Sequence, residues 1–182
     1  MNRPVVVDNI QIPRMLLIAG NGRNVGKTTL ACQMIQHLAK KHPVIGVKVS
    51  AHFHPYQKAD VVAGDDSFIV VEEKQINDKD SSLMLQAGAK KVYFVMSEKE
   101  TLSQAINELL KLLPDQLIVC ESGGLHKIAK PGLFLFVNRK KKEITKSHLL
   151  EHDPLRVEND GSDFSIDINS IIFEDQRVSI KR

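Results

Sequence analysis

The ten residues Gly20-Asn21-Gly22-Arg23-Asn24-Val25-Gly26-Lys27-Thr28-Thr29 constrain this chain more than any other stretch. They stand between an apolar run at 15–19 and a segment in which Leu30, Met34 and Leu38 recur at four-residue spacing, a pattern that predicts strand, loop and helix in that order. Glycines let consecutive backbone N–H groups face an anion with no Cβ in the way, and a helix N-terminus adds favourable electrostatics. Gly22, Arg23, Asn24, Val25, Gly26, Lys27, Thr28 and Thr29 are therefore the candidate phosphate-binding residues. Lys27 would reach the β- and γ-phosphates, and the Thr28 hydroxyl is the expected Mg²⁺ ligand. The usual form of this loop has its first glycine at position 21, where this chain carries Asn21 between Gly20 and Gly22. Gly20-x-Gly22 also begins the dinucleotide fingerprint, but Val25 takes the third glycine's place, and Lys48, Val49 and Ser50 stand where a ribose-binding carboxylate would end the second strand.

Further along, Lys40, Lys41 and His42 suit the negative end of the first helix and Pro43 stops it. Strands are expected at 44–49, 67–71, 92–96, 117–120 and 133–137. A short helix at 79–87 would end at Gly88 in the left-handed position. Thr101 with Gln104 has the spacing of a capping box, Leu102, Ile106, Leu109 and Leu113 form an apolar face, and Pro114 closes that helix. Apolar strands without polar alternation are covered on both faces, so the expectation is an α/β domain with a mostly parallel sheet. From residue 153 the texture changes: Asp160-Gly161 is a turn signal, Phe164, Ile166 and Ile168 alternate with polar residues, and a hairpin fits around 174–176. We expect a single domain over residues 1–182, with a core at about 14–150 and a tail of short edge strands at about 153–182; residues 5–7 could add another strand.

Composition narrows the function classes. With 42% apolar residues and a formal charge of +3 the chain is not expected to be disordered. No apolar run approaches the roughly eighteen residues a membrane helix needs, and Asp8 interrupts the short apolar stretch near the N-terminus, so it reads as cytoplasmic. Cys32 and Cys120 lack paired spacing and look like small buried hydrophobes. Between residues 125 and 150, Lys127, Lys130, Arg139, Lys140, Lys141, Lys142 and Lys146 face Glu143 alone. The stretch contains no recognisable RNA or DNA motif, so it reads as a solvated loop or a phosphate-facing edge, with no nucleic-acid partner.

A second motif runs Leu117-Ile118-Val119-Cys120-Glu121-Ser122-Gly123-Gly124, an apolar strand ending in a carboxylate and then glycines. Ligands of parallel sheets bind at strand C-terminal ends. Glu121 there could hold Mg²⁺, orient an attacking water, or simply cap the next helix.

Taken together, these motifs resemble the SIMIBI class of P-loop NTPases, and most of all the MobB family of molybdopterin-guanine dinucleotide biosynthesis proteins. Gly26-Lys27-Thr28-Thr29-Leu30 is similar to the family's P-loop, 44–54 with His52-Phe53-His54 to its second strand and histidine-rich loop, and Lys79-Asp80-Ser81 with Ala87-Gly88-Ala89 to its following helix. The similarity covers roughly residues 14–138. It implies a three-layer P-loop NTPase fold, bound GTP (or ATP) with Mg²⁺ held by Thr28 and Asp80 or Glu121, and Lys27 and Glu121 as catalytic residues. It also implies slow hydrolysis, a role as adaptor to a molybdenum-cofactor nucleotidyltransferase, and a possible homodimer.

Two alternatives come with it. The spacing of Gly20 and Gly26 resembles dethiobiotin synthetase, an ATP-dependent ligase of the same class, and Glu121-Ser122-Gly123-Gly124 resembles a motif of metallochaperone GTPases. In the latter reading His52 and His54 would ligate a metal with Cys120 or Glu121; otherwise they contact phosphate or substrate, or stand on the surface. Asn138-Arg139-Lys140-Lys141 lies where a guanine-reading loop would, with Asn138 as its candidate base contact, although Lys141 replaces the aspartate such a loop uses.

Overall fold

The computed structural model describes residues 9–76, 80–113 and 115–181. Residues 5–7, Lys79 and Pro114 lie outside them. Ten strands are described: β1 Ile10–Gly20, β2 Val44–Ser50, β3 Val61–Gly64, β4 Phe68–Glu73, β5 Lys91–Ser97, β6 Leu117–Ser122, β7 Ala129–Arg139, β8 Leu155–Asn159, β9 Ile171–Glu174 and β10 Arg177–Ile180. The described α-helices are α1 Lys27–Leu38, α2 Asp80–Gln86 and α3 Leu102–Leu112, with short 3-10 turns between some of the strands.

Eight strands form one sheet in the order β3-β4-β5-β2-β6-β1-β7-β8. All neighbours pair in parallel except β3 with β4 and β4 with β5. The fold is thus α/β with a mostly parallel, mixed sheet and few helices. Side chains alternate across it, as the pleat requires. In β1, Leu16 and Ile18 enter the core beneath α1 and α2, while Met15, Leu17 and Ala19 enter the one beneath α3. α1 buries Leu30, Ala31, Met34, Ile35 and Leu38 in one stripe, and α3 buries Ala105, Ile106 and Leu109. No helix among the described residues is long and apolar enough to cross a membrane.

Three local expectations change. The capping box does not form: Thr101, with ψ of 2°, lacks the extended backbone a cap residue usually takes, its hydroxyl is turned to donate to the Ser67 carbonyl at 3.0 Å, and Gln104 reaches toward Asp65. β3 was invisible in the pattern, being four half-exposed residues that pair only with β4. In the tail, Phe164, Ile166 and Ile168 make no strand; only a single bridge, Phe164 with Asn159, is formed, and the chain turns inward there. β8 is the edge strand of the main sheet, but β9 and β10 form a separate hairpin on Asp175-Gln176, both at positive φ. Its buried Ile171 and Val178 pack in the core beneath α1, so the tail is built into the same core as β1 and β6. Gly88 takes the left-handed conformation expected of it, φ 104°.

Candidate functional site

β1 and β2 flank β6, and α1 carries the chain from one to the other. Register sets Ile18 beside Glu121 and Glu121 beside Lys48. Neighbours in register point to the same face, so Glu121 and Lys48 emerge on the α1 side, at the C-terminal edge of the sheet. The loop that leaves β1 arrives at the same place. It turns through positive φ at Gly22 (114°), Asn24 (57°) and Gly26 (101°) before α1 begins at Lys27. The close approach at Gly20 admits no side chain, since a Cβ would meet Val25 at 2.8 Å and Lys27 at 2.9 Å.

Four side chains converge at this edge. The Thr28 hydroxyl donates to Glu121 Oε2 at 2.8 Å. Lys48 lies 3.4 Å from Glu121 Oε1 and also pairs with Asp80 at the start of α2. Lys27 folds back over the loop and donates to the Gly22 carbonyl at 2.6 Å. Burial lowers its pKa first; Lys146 and Lys48 lower it further, while Glu121 and Asp80 act against this. A buried ammonium beside other ammonium groups is short of anionic solvation. Beside these groups, Thr28, Thr29, Cys32, Gln33 and Leu83 line an open groove of about 520 Å³ between α1 and α2. Burial, with Glu121 and Asp80 adding to it, pushes the Cys32 thiol up to about 11, so it stays protonated at neutral pH.

The predicted residues are thus largely brought together: Gly22, Val25, Gly26, Lys27 and Thr28 form or border the loop, with Glu121 and Asp80 across from it. Arg23, Asn24 and Thr29 are exposed on its rim. Asn138 faces inward to its own loop: its Oδ1 accepts from Asn21 at 2.9 Å and its Nδ2 donates to the Lys142 carbonyl at 2.8 Å. Gly123 and Gly124 have open space where a Cβ would stand, and Ser122 accepts from the Gly124 and Leu125 amides, which turns the chain away from the site.

Sequence reasoning passed over three site residues. Lys48 stands third from the end of β2, where a lone lysine in an otherwise apolar run is the signal that marks it. Asn21, 1% exposed, donates to Asn138 Oδ1 and to the Glu143 carbonyl, and accepts from the Thr145 amide, the Thr145 hydroxyl and the Lys146 amide. The unusual residue in the loop therefore ties the basic stretch to the site. Lys146 reaches Lys27 electrostatically through that tie.

The proposed grouping of His52 and His54 with Cys120 or Glu121 does not assemble. Cys120 points into the core on the α3 side, opposite Glu121, and burial raises its pKa. His54 lies 3.3 Å from the Ser50 hydroxyl with its ring against Phe94. Among the described residues, no three His, Cys, Asp or Glu side chains form a group that could hold a metal ion. A separate histidine cluster does form on the α3 side, where buried His126 stacks on Phe134, meets His152 edge-on and lies tilted toward His148. Comparison with protein-family models, curated proteins and solved structures finds no match to this chain.

Proposed function

We propose that the chain binds a nucleoside triphosphate with Mg²⁺ on the loop between β1 and α1 and hydrolyses it slowly. One observation carries this reading: a glycine-rich loop delivers Lys27 and Thr28 to the C-terminal edge of a mostly parallel sheet, where Lys27 closes over the loop onto the Gly22 carbonyl and Thr28 donates to a carboxylate at the end of the adjacent strand. Amides at the start of α1 have no intrahelical acceptor, so they are available to phosphate oxygens. Lys27 would exchange the Gly22 carbonyl for the terminal phosphates, whose charge makes good the solvation that burial takes from the ammonium. The hard oxygen donors Thr28, Glu121 and Asp80 fit Mg²⁺, which takes one or two protein ligands alongside phosphate and water. Bound there, the ion would neutralise phosphate charge. Glu121 is the group placed to orient an attacking water, and Lys48 holds it and Asp80 at that edge.

GTP is favoured by the resemblance to the MobB family, and so is the adaptor role in molybdenum-cofactor biosynthesis. The test is calorimetric titration of GTP and ATP, each with Mg²⁺, into the parent chain and Lys27→Ala. We expect affinity to fall at least tenfold in the variant; unchanged affinity refutes the assignment of the loop. Adding a molybdenum-cofactor nucleotidyltransferase should give a complex or raise turnover, and neither response would remove the adaptor role while leaving nucleotide binding standing.

A further inference from the structure

The C-terminal segment, which the family resemblance does not reach, lies directly behind the loop. β8 ends in Asn159, 8% exposed, whose Nδ2 donates to the Val25 carbonyl at 2.9 Å and whose Oδ1 accepts from the Gly161 amide at 2.8 Å. Five residues on, Phe164 comes so near Gly26 that an added Cβ would lie 3.1 Å from its Cζ, and the same Cβ would collide with Asn159 Nδ2. Glycine at position 26 is therefore required by the tail as well as by its own φ of 101°.

The peptide geometry gives this contact a consequence. In a trans peptide the carbonyl and the following N–H point in opposite directions, and no cis peptide occurs among the described residues. With the Val25 carbonyl held outward toward Asn159, the Gly26 N–H must face the inner side of the loop. The Gly26 carbonyl is committed as well, accepting from the Leu30 amide at 2.9 Å. A flip of the 25–26 peptide by half a turn would bring Gly26 to φ of about −80°, where any residue is comfortable. It would also turn the Val25 carbonyl, and not an N–H, toward a bound anion. Glycine imposes little cost on either state, so the choice between them needs an outside partner. Asn159 is that partner.

We infer that Asn159 is a positioning residue of the phosphate-binding loop, and that the C-terminal segment is coupled through it to whatever triphosphate the loop holds. The inference rests on the nucleotide reading above. Coupling is reciprocal: if the tail pre-sets the loop for the ligand, bound ligand must hold the tail more firmly.

The experiment titrates GTP and ATP with Mg²⁺ into the parent chain and Asn159→Ala, at a temperature well below the melting transition of both. Loss of a merely structural contact lowers the melting temperature and leaves the affinity of the folded protein unchanged. A positioning role is expected to lower affinity at least tenfold. In the parent chain, saturating nucleotide should also slow amide exchange at residues 159–164, a readout that stands even if Asn159→Ala does not fold. Parent and variant binding within twofold of each other, or exchange at 159–164 indifferent to bound nucleotide, overturns the inference and leaves the proposed function intact. A parent chain that binds neither nucleotide overturns both.

Discussion

Replacing Asn21 by Gly brings the loop closer to the usual pattern of its kind, and we expect the change to weaken the protein. Asn21 makes five hydrogen bonds, to Asn138, the Glu143 carbonyl, the Thr145 amide and hydroxyl, and the Lys146 amide. Three of these donors share one oxygen, so the set counts as roughly three independent bonds at about 0.5–1.5 kcal/mol each. Asn21 is not among the residues at positive φ, so glycine brings no relief there. It adds about 0.4–1 kcal/mol of unfolded-state entropy to the loss. The expected total is roughly 2–5 kcal/mol, which at this chain length lowers the melting temperature by about 5–15 °C. Urea denaturation followed by circular dichroism measures the first figure and a thermal scan the second. Because Asn21 holds the chain from 138 to 146, the proposed nucleotide site should also lose affinity for triphosphate in the variant, through displacement of Lys146. Stability within about 0.5 kcal/mol of the parent would refute the reasoning, since it would mean that water replaces the whole network without loss.

Two further perturbations test the packing. His126 is 4% exposed, neither ring nitrogen has a partner, and burial first, then His152, Lys127, His148 and Lys146, lower its pKa to about 4. A histidine depressed in the folded state leaves stability intact above the ordinary value near 6.5 and loses it as pH falls from there toward 4, by at most about 3 kcal/mol. His126→Phe keeps the stack on Phe134, removes both unpartnered nitrogens and should flatten that loss in denaturant titrations at pH 7.5 and 5; an unchanged slope would mean other groups cause it. Gly132→Ala should cost more than about 3 kcal/mol, because its Cβ would overlap the Pro13 carbonyl oxygen and lie 2.9 Å from that of Val178, neither of which is the end of a flexible side chain; a loss under about 1 kcal/mol, read by the same denaturation, would show that β1 and β7 can move apart where their pairing shifts register between Ile12 and Leu16.

What could be read from the sequence is what local physics decides. The apolar runs at 15–19, 117–120 and 133–137 are covered on both faces, so their hydrophobicity alone announced β1, β6 and β7. The loop was legible because glycine at φ above 100° leaves little choice of residue. Thr28 and Glu121, 93 positions apart, could be paired in advance only because strand ends of parallel sheets gather at one edge. Contacts set by distant partners were not legible: Thr101 has the right spacing for a cap, but its backbone is not extended and its hydroxyl is turned toward the Ser67 carbonyl.

Asn21, Lys48 and Asn159 share the reason they were missed. Each acts through a residue distant in sequence, Asn21 through positions 138–146, Lys48 through Asp80 and Glu121, and Asn159 through Val25. A loop pattern records the residues of the loop itself, and these three hold it or its neighbouring carboxylates from outside. The same reasoning accounts for the departure at position 21. In the usual loop the first glycine makes room for a close turn; here Gly20 supplies that room, since its Cβ would strike Val25 and Lys27. Position 21 is thereby released to carry a side chain, and an amide with both donors and acceptors can clasp a second loop where glycine could not. The extra residue between the outer glycines and the basic stretch after β7 thus answer to one physical requirement, because the loop is long enough to need a partner and Asn21 supplies it.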